Sequence, residues 1–226
     1  MTDIRHSTIP VIAIDGPSAS GKGTVAQRVA QALGYHYLDS GAIYRIAALA
    51  ALRRGISWQD EAALAAMAAG LDIRFADGEI YLDGEIITEA VRTEEISRGA
   101  SEVAVYPALR SALLNLQQSF RKIPGLVADG RDMATVVFPD AQTKIFLTAS
   151  AEVRAERRYK QLIEKGIHAN VADILQDLQT RDARDSQRSV APLQKSESAK
   201  LLDTSELGIG QAVEAILNYS RADTEN

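Results

Sequence analysis

The fold of this chain is decided by the stretch Gly16-Pro17-Ser18-Ala19-Ser20-Gly21-Lys22-Gly23-Thr24. An apolar run precedes it at 11–15, and a run with helical character follows it at 25–33. A strand, a glycine-rich loop and a helix in this order are the setting of a phosphate-binding loop. Backbone N–H groups of such a loop, with the positive end of the helix, face phosphate oxygens. Lys22 adds a mobile positive charge, so the stretch predicts a site for nucleotide phosphates.

The loop departs from the commonest pattern at the residue after Lys22. That residue is Gly23, and the first hydroxyl comes one position later, at Thr24. In most phosphate-loop proteins a Ser or Thr directly after the lysine coordinates Mg²⁺. We therefore expect phosphates and water to hold Mg²⁺, and we assign no residue as a metal ligand. A glycine-rich turn that binds nothing is the alternative, but strand, loop and helix all agree with phosphate binding.

The composition is that of an ordinary globular protein. The chain has 226 residues, of which 46 % are hydrophobic and 24 % charged, enough for one core with an inserted subdomain. The net charge of −5 argues against nucleic acid polymers or anionic membranes as partners. The absence of cysteine excludes disulfides, zinc–thiolate sites and thiol nucleophiles, and it suits the cytoplasm, where we expect the protein.

Targeting and assembly signals are absent from the sequence. No segment resembles a secretion signal, and no apolar run approaches the ~18 residues of a membrane helix. Because no heptad pattern or apolar surface stripe is evident, we expect a monomer.

Short apolar runs alternate with helical stretches along most of the chain. Five of these runs have the character of strands, and they are residues 11–15, 35–38, 126–129, 144–147 and 201–203. Such alternation predicts an α/β fold, a phosphate-loop NTPase type of five-stranded parallel sheet flanked by helices. Asp15, Asp39 and Asp129 each end a run, at the edge where ligands of such sheets bind.

One region breaks this pattern. The runs 71–75, 79–82 and 85–87 alternate apolar and polar residues, and Asp77-Gly78 and Asp83-Gly84 separate them. This pattern predicts a small antiparallel meander with tight turns. We expect it to lie in an inserted subdomain at 61–101, with the core formed by 1–60 and 102–226, and we expect the tail 221–226 to be frayed.

Two short segments at predicted strand ends contain polar groups suited to phosphate chemistry. The first includes Ser40, Tyr44 and Arg45, where Ser40 either caps the next helix or helps to form a site with Arg45. The second is Asp129-Gly130-Arg131-Asp132, in which Asp129 is similar to the acidic partner that approaches Mg²⁺ in phosphate-loop enzymes. A capped turn with a local ion pair is the alternative for the second segment.

Arginines share helix faces in the second half of the chain. One set, at i, i+3 and i+4, is Arg154, Arg157 and Arg158. Another, at i, i+3, i+4 and i+7, is Arg181, Arg184, Asp185 and Arg188. A solvated helix with salt bridges is one explanation. A site for more than one phosphate group is the other, because like charges on one face repel unless an anion lies between them. Lys165-Gly166 would let a lid close, and we place this short helical lid within 152–175.

Taken together, four motifs resemble those of bacterial cytidylate kinases, the long form of the nucleoside monophosphate kinase family, over nearly the whole chain. They are Ile14-Asp15-Gly16-Pro17-Ser18 with Gly21-Lys22-Gly23-Thr24, Leu38-Asp39-Ser40-Gly41-Ala42-Ile43-Tyr44-Arg45, Ala128-Asp129-Gly130-Arg131-Asp132-Met133, and Arg181-Asp182 with Arg184-Asp185 and Arg188. The resemblance implies transfer of the γ-phosphoryl group of ATP, with Mg²⁺, to the small substrates CMP and dCMP. It also implies that the meander belongs to a monophosphate-binding subdomain.

The resemblance implies a role for each matching residue. Gly16 to Thr24 would bind the donor phosphates, and Arg157 and Arg158, with Arg154, would belong to the lid at the donor side. Contacts to the acceptor would come from the remaining matches, namely Ser101, Arg110 and Asp132 to cytosine, Arg45, Arg131 and Arg188 to the phosphate, and Arg181 and Asp185 to the ribose, with Ser40, Tyr44 and Asp129 nearby. Lys22, Arg131 and Arg188 would act in catalysis.

The loop differs from the commonest form in the family, Gly-Pro-Ser-Gly-Ala-Gly-Lys-Gly-Thr, at two positions. Ala19 replaces a glycine and Ser20 replaces an alanine. An alanine with positive φ would cost roughly 1 kcal/mol. We therefore predict that Ala19 has a negative φ.

Two rival functions stay open. One is a phosphate-loop kinase for another small acceptor, such as AMP, UMP or a metabolite. The other is a switch protein that uses ATP only for conformational control, although the arginines at the predicted acceptor site argue against it. For the kinase we expect direct in-line transfer without a phosphoenzyme, since the acceptor phosphate is itself a nucleophile.

Overall fold

A computed structural model describes residues 9–76 and 78–224 of the chain. In this part of the chain the structure divides into two compact units, one formed by 9–39 with 119–224 and the other by 40–118. No helix among these residues is long and apolar enough to cross a membrane. The predicted boundaries of an insert at 61–101 stay predictions.

The first unit is built on a five-stranded sheet with strand order β2-β6-β1-β7-β8, in which every neighbouring pair is parallel. The strands are β1 (Val11–Asp15), β2 (His36–Asp39), β6 (Leu126–Gly130), β7 (Thr143–Thr148) and β8 (Lys200–Asp203). All five predicted strands are present, with bounds shifted by a residue or two at some ends. The predicted α/β class with a five-stranded parallel sheet is confirmed.

Helices flank this sheet. They are α1 (Lys22–Leu33), α6 (Ala151–Glu164), α7 (Val171–Gln187) and α8 (Ile209–Thr224). Apolar side chains of the central strands pack against α1 and α8, and Ile14, Val29 and Ile216 of this core are fully buried. The helix α8 continues to Thr224, so the prediction that the tail frays from Arg221 is wrong for residues 221–224. Residues 225 and 226 lie outside the described part.

The second unit contains the predicted meander. Its strands β3 (Ile73–Ala76), β4 (Glu79–Leu82) and β5 (Glu85–Ile86) form an antiparallel sheet in that order. At the second turn, Asp83 and Gly84 both have positive φ, 51° and 83°, as a two-residue hairpin turn of the primed type requires. The predicted antiparallel meander is confirmed. Of the first predicted turn, Asp77 lies outside the described residues.

Four helices complete the second unit. They are α2 (Ser40–Arg53), α3 (Glu61–Ala68), α4 (Glu94–Val103) and α5 (Pro107–Gln118). The helix α2 is apolar nearly all round and is buried along most of its length, and it packs against α4. The predicted binding residues Ser40, Tyr44 and Arg45 therefore lie on a firmly packed helix.

Glycine is required where the first strand enters the phosphate loop. A Cβ atom at Gly16 would lie 1.9 Å from the carbonyl oxygen of Leu147 in β7. The nearest atoms belong to the backbone of Leu147, so no change of side-chain rotamer can relieve the contact. Gly210, near the start of α8, has open space around its Cβ position and offers a matched comparison.

We expect Gly16→Ala to lower the free energy of unfolding by at least about 1–3 kcal/mol, because the strand must shift to admit the methyl group. Gly210→Ala should raise it by about 0.5–1 kcal/mol, since alanine loses less backbone entropy in a helix. Urea unfolding of both variants and of the parent measures the difference. A Gly16→Ala variant as stable as the parent would show that the loop does not need this close approach.

Candidate active site

The phosphate loop leads directly into α1. Gly21 has φ +88° at the N-terminus of the helix, and no described side chain caps it. The first N–H groups of a helix have no partner within the helix, so they can donate to an anion at this end. Lys22, the first helical residue, donates from Nζ to the carbonyl oxygen of Pro17 at 3.3 Å.

Ala19 is left-handed, with φ +57°. The prediction of a negative φ at this position is therefore wrong. The conformation costs about 1–2 kcal/mol for an L-residue. The Ala19 side chain packs against an apolar cluster of α6 and α7, whose buried members are Ala155, Leu162, Ile174 and Leu178. That packing, which the local sequence does not reveal, offsets part of the strain.

Ser20, the second unusual residue of the loop, is 1 % exposed, and its hydroxyl has no hydrogen-bond partner in the described structure. A buried hydroxyl without a partner costs about 1–3 kcal/mol. Together with Gly21 and the uncapped start of α1, this orphan hydroxyl is consistent with a loop that is completed by the oxygens of a ligand. The loop therefore fits a nucleotide polyphosphate.

Three acidic residues lie at the carboxyl ends of strands in this sheet. The register places Asp39 beside Asp129, and Asp15 beside Gly130. Both carboxylate oxygens of Asp15 accept hydrogen bonds, one from the N–H of Met133 and one from that of Ala134, each 2.8 Å long. Asp15 thus fixes the turn after β6 that contains two predicted site residues. Sequence reasoning missed this role, although an acid ending a buried strand was the available signal.

Two of these carboxyl groups, those of Asp15 and Asp129, have raised pKa values. Burial raises the pKa of Asp15 to about 6, against two backbone hydrogen bonds that lower it. Burial, with repulsion from Asp39, raises the pKa of Asp129 to about 7. The hydroxyl of Tyr37 donates to Asp129 Oδ1 at 2.9 Å and favours the ionised form. Gly23 lies beside this pair, since its Cβ position is 3.6 Å from Tyr37 Oη and 3.7 Å from Asp129 Oδ2.

Lys22 contributes a positive charge at this edge of the sheet. Burial and repulsion from Arg131 lower the pKa of Lys22 to about 7, although Asp129 and Asp39 oppose the shift. A phosphate at the loop would add negative charge beside Lys22 and restore its ordinary preference for the protonated form. The protonation state of Lys22 is thus tied to the presence of an anion.

Arg131 joins the phosphate loop to α7. Its Nε donates to Asp185 Oδ2 at 2.7 Å and its Nη2 donates to Ser18 Oγ at 2.8 Å. Burial alone would raise the pKa of Asp185, but the charge and hydrogen bond of Arg131, with Arg181 and Arg188, lower it. The local ion pair considered for the turn is therefore replaced by a pair between residues 54 positions apart.

Asp132 faces another residue of the predicted site, Arg188. Arg188 Nη2 lies 3.6 Å from Asp132 Oδ1, and both side chains are 3 % exposed. The structure thus gathers Lys22, Arg131 and Arg188 in the first unit, along with Asp129 and Asp132. Arg181 is half-buried on α7 and contributes to the fields at Lys22 and Asp185.

The three arginines of α6 serve different contacts. Arg154 is buried and donates to the carbonyl oxygen of Ser18 at 3.0 Å. Arg157 donates to the carbonyl oxygens of Ser20, at 3.2 Å, and Thr204, at 2.6 Å. Arg158 donates to Gln161 on its own helix at 3.3 Å. Two of the three therefore contact the loop backbone.

The second unit contains the other predicted acceptor residues. Ser40 is the first residue of α2, and its Oγ donates to Gln117 Oε1 of α5 at 2.7 Å. The guanidinium of Arg110 lies 5.4 Å from the ring centre of Tyr44, and both residues are buried. Ser101 is buried on α4, and Arg45 is half-buried on α2. Within this unit the structure brings Tyr44 and Arg110 together.

The described residues include no cluster of three or more His, Asp or Glu side chains able to hold a metal ion. The sheet edge supplies instead a phosphate loop, a lysine and two arginines. A parallel sheet with this loop and these cations defines the class of phosphate-loop kinases.

Comparison with known proteins gives the family. The family model described as cytidylate kinase matches residues 12–222. A cytidylate kinase of Polynucleobacter asymbioticus is 59 % identical over 94 % of this chain and 97 % of its own length. One of Chromobacterium violaceum is 60 % identical over 94 % and 96 %. The chain belongs to the cytidylate kinase family. The resemblance predicted from the motifs is confirmed, and so is the enzyme class, a phosphotransferase.

Among solved structures, a gluconokinase from Sinorhizobium meliloti 1021 has a TM-score of 0.48 at 17 % identity, covering 96 % of this chain and 94 % of that one. A likeness at that level does not bear on the activity.

We expect Lys22 to titrate near pH 7 in the free protein, because burial and Arg131 lower its pKa to about 7. Above that pH the free amine should predominate, and ATP should shift the titration upward, since its phosphates favour the ammonium form. Proton-decoupled NMR of lysine labelled with ¹³C at Cε measures the titration, and Lys22→Arg identifies the resonance by removing it. A Lys22 resonance that stays unchanged from pH 6 to 9 would contradict this account.

Proposed function

We propose that this protein transfers the γ-phosphoryl group of ATP to CMP and dCMP, giving the diphosphates, by direct in-line transfer. The observation that carries the proposal is that Lys22 and Arg131 both bind the phosphate loop, where Lys22 Nζ donates to the carbonyl oxygen of Pro17 and Arg131 Nη2 donates to Ser18 Oγ. Burial and repulsion from Arg131 lower the pKa of Lys22, and an anion beside both groups would favour the charged form of Lys22. Phosphoryl transfer calls for such a pair, because negative charge spreads over the equatorial oxygens in the transition state.

The residues divide by role in this proposal. The loop Gly16 to Thr24, with Arg157 and Arg158, binds the donor nucleotide. Arg45, Arg131 and Arg188 bind the acceptor phosphate, and Arg181 and Asp185 bind the ribose. Ser101, Arg110 and Asp132 recognise the cytosine ring. The names of the relatives, which are cytidylate kinases, support the choice of base.

Catalysis then rests on position and charge. Lys22, Arg131 and Arg188 align the two phosphates and neutralise their charge, and no side chain needs to act as a strong base. The nucleotide phosphates and water hold Mg²⁺, which screens the phosphate oxygens when it is bound. Buried Asp15 keeps the turn with Arg131 and Asp132 in place through its two backbone hydrogen bonds.

Incubation of the purified protein with Mg²⁺ and ATP and each monophosphate separately tests the function. We expect CMP and dCMP to be converted to diphosphates much faster than UMP or AMP. A preference for another monophosphate would keep the phosphate chemistry and overturn the proposed base recognition. No transfer to any acceptor would favour the switch protein instead.

Asp132→Asn should relax the choice of base. A carboxylate accepts a hydrogen bond from the exocyclic amine of cytosine and repels the carbonyl oxygen of uracil, whereas an amide can donate to that oxygen. We expect the ratio of kcat/KM for CMP to that for UMP to fall by about 10-fold or more, consistent with ~1–3 kcal/mol for such contacts.

A matched control for this experiment is Asp140→Asn, which also removes a carboxylate paired with a buried arginine, Arg121. The control should leave the ratio of the two substrates as it is in the parent. Equal loss for CMP and UMP in Asp132→Asn would assign Asp132 a structural role only.

A further inference from the structure

Ser18 of the phosphate loop is held from two sides by arginines. Arg131 donates to its hydroxyl and Arg154 to its carbonyl oxygen, at 2.8 and 3.0 Å. Each arginine also pairs with a carboxylate of α7, Arg131 with Asp185 and Arg154 with Asp182, both at 2.7 Å. One residue of the donor loop is therefore connected to α7 by two parallel bridges.

Arg154 is held as firmly as a core residue. Its side chain is 7 % exposed, and its Nε donates to the carbonyl oxygen of Ala149 at 3.0 Å. The Nη1 atom donates to the carbonyl oxygen of Ser18 and also pairs with the carboxylate of Asp182. Arg154 therefore contacts the backbone of Ala149 and Ser18 and the carboxylate of Asp182, and we assign it a role in positioning these residues.

The neighbouring loop residues are attached to the same helices. The Ala19 side chain packs against the apolar cluster of α6 and α7, and the carbonyl oxygen of Ser20 accepts from Arg157 of α6. Three successive residues of the loop thus contact the helix pair. A displacement of the loop by donor phosphates has to be shared by α6 and α7, because packed side chains and charged hydrogen bonds yield little.

We propose that Arg154, through its pair with Asp182, is a positioning residue that couples the donor loop to the acceptor-binding residues on α7. Asp185 lies about one helical turn after Asp182 on α7. Arg188 lies nearly two turns after Asp182, directly after the last residue of the helix. Binding of a nucleotide at the loop therefore changes the affinity for the acceptor, and the reverse effect is equal in size. This inference rests on the proposed function for the identity of the two nucleotides.

The test is a comparison of CMP binding with and without a non-hydrolysable ATP analogue, by calorimetry, in the parent and in Arg154→Met. We expect the analogue to tighten CMP binding in the parent by a factor within the usual range of about 5- to 150-fold. In Arg154→Met that factor should fall clearly below the parent value, with the remainder carried by the bridge through Arg131 and Asp185, while CMP still binds in the absence of the analogue. Asp182→Asn should give the same loss, and it serves where Arg154→Met does not fold.

Arg121→Met is the matched control. Arg121 is also 7 % exposed, its Nη1 lies 2.6 Å from Asp140 Oδ2, and its Nε donates to a carbonyl oxygen at 3.0 Å, but it contacts neither Ser18 nor α7 in the described structure. Its removal should lower stability to a similar degree and preserve the coupling factor. A factor in Arg154→Met and Asp182→Asn equal to that of the parent, or a factor of 1 in the parent itself, overturns the proposal.

Hydrogen exchange separates this inference from the proposed function. The ATP analogue alone should slow amide exchange in residues 171–187 of the parent and slow it less in Arg154→Met. If CMP does not bind to the parent under any condition, the proposed acceptor is wrong, and the exchange experiment alone decides the linkage. Equal protection of α7 in the parent and in Arg154→Met then counts against it.

Discussion

The contact between Gly16 and the carbonyl oxygen of Leu147 sets the course of the whole donor loop. Strand β1 leaves the sheet so close to β7 that a side chain has no room. The chain then turns through left-handed residues and delivers Lys22 to the start of α1, facing the carboxyl ends of the strands. Every proposed donor contact depends on this exit, because a loop displaced by the width of a methyl group would misplace its N–H groups relative to the phosphates.

The charges around the loop follow from that course. Asp39 and Asp129 are neighbours because their strands are parallel and in register, and both lie near a buried lysine. Burial disfavours both the positive charge of Lys22 and the negative charge of Asp129, so the pKa of Lys22 falls and that of Asp129 rises. The site is therefore complementary to charges that arrive with a ligand, as electrostatic preorganisation requires.

Much of this could be predicted from the sequence, since strand periodicity, turn residues and the glycine loop are local signals. The five strands, the meander and the loop all follow from such patterns. The ion-pair partners of the arginines could not be predicted from such local patterns. Arg131 pairs with Asp185 and not with its neighbour Asp132, and Arg154 is buried instead of facing phosphates, because such pairings depend on how distant elements pack. The φ of Ala19 was missed for the same reason, as its compensation comes from α6 and α7.

Gly23 also determines what a side chain after the lysine would contact. A side chain at this position would point at the hydrogen bond between Tyr37 and Asp129, in van der Waals contact with both. A serine here would add a hydroxyl beside Oδ2 of Asp129, whereas Tyr37 donates to Oδ1. Both distances are ordinary van der Waals contacts, so steric contact does not prevent a single mutation from giving this loop the Ser or Thr after the lysine, with its hydroxyl next to the hydrogen bond between Tyr37 and Asp129.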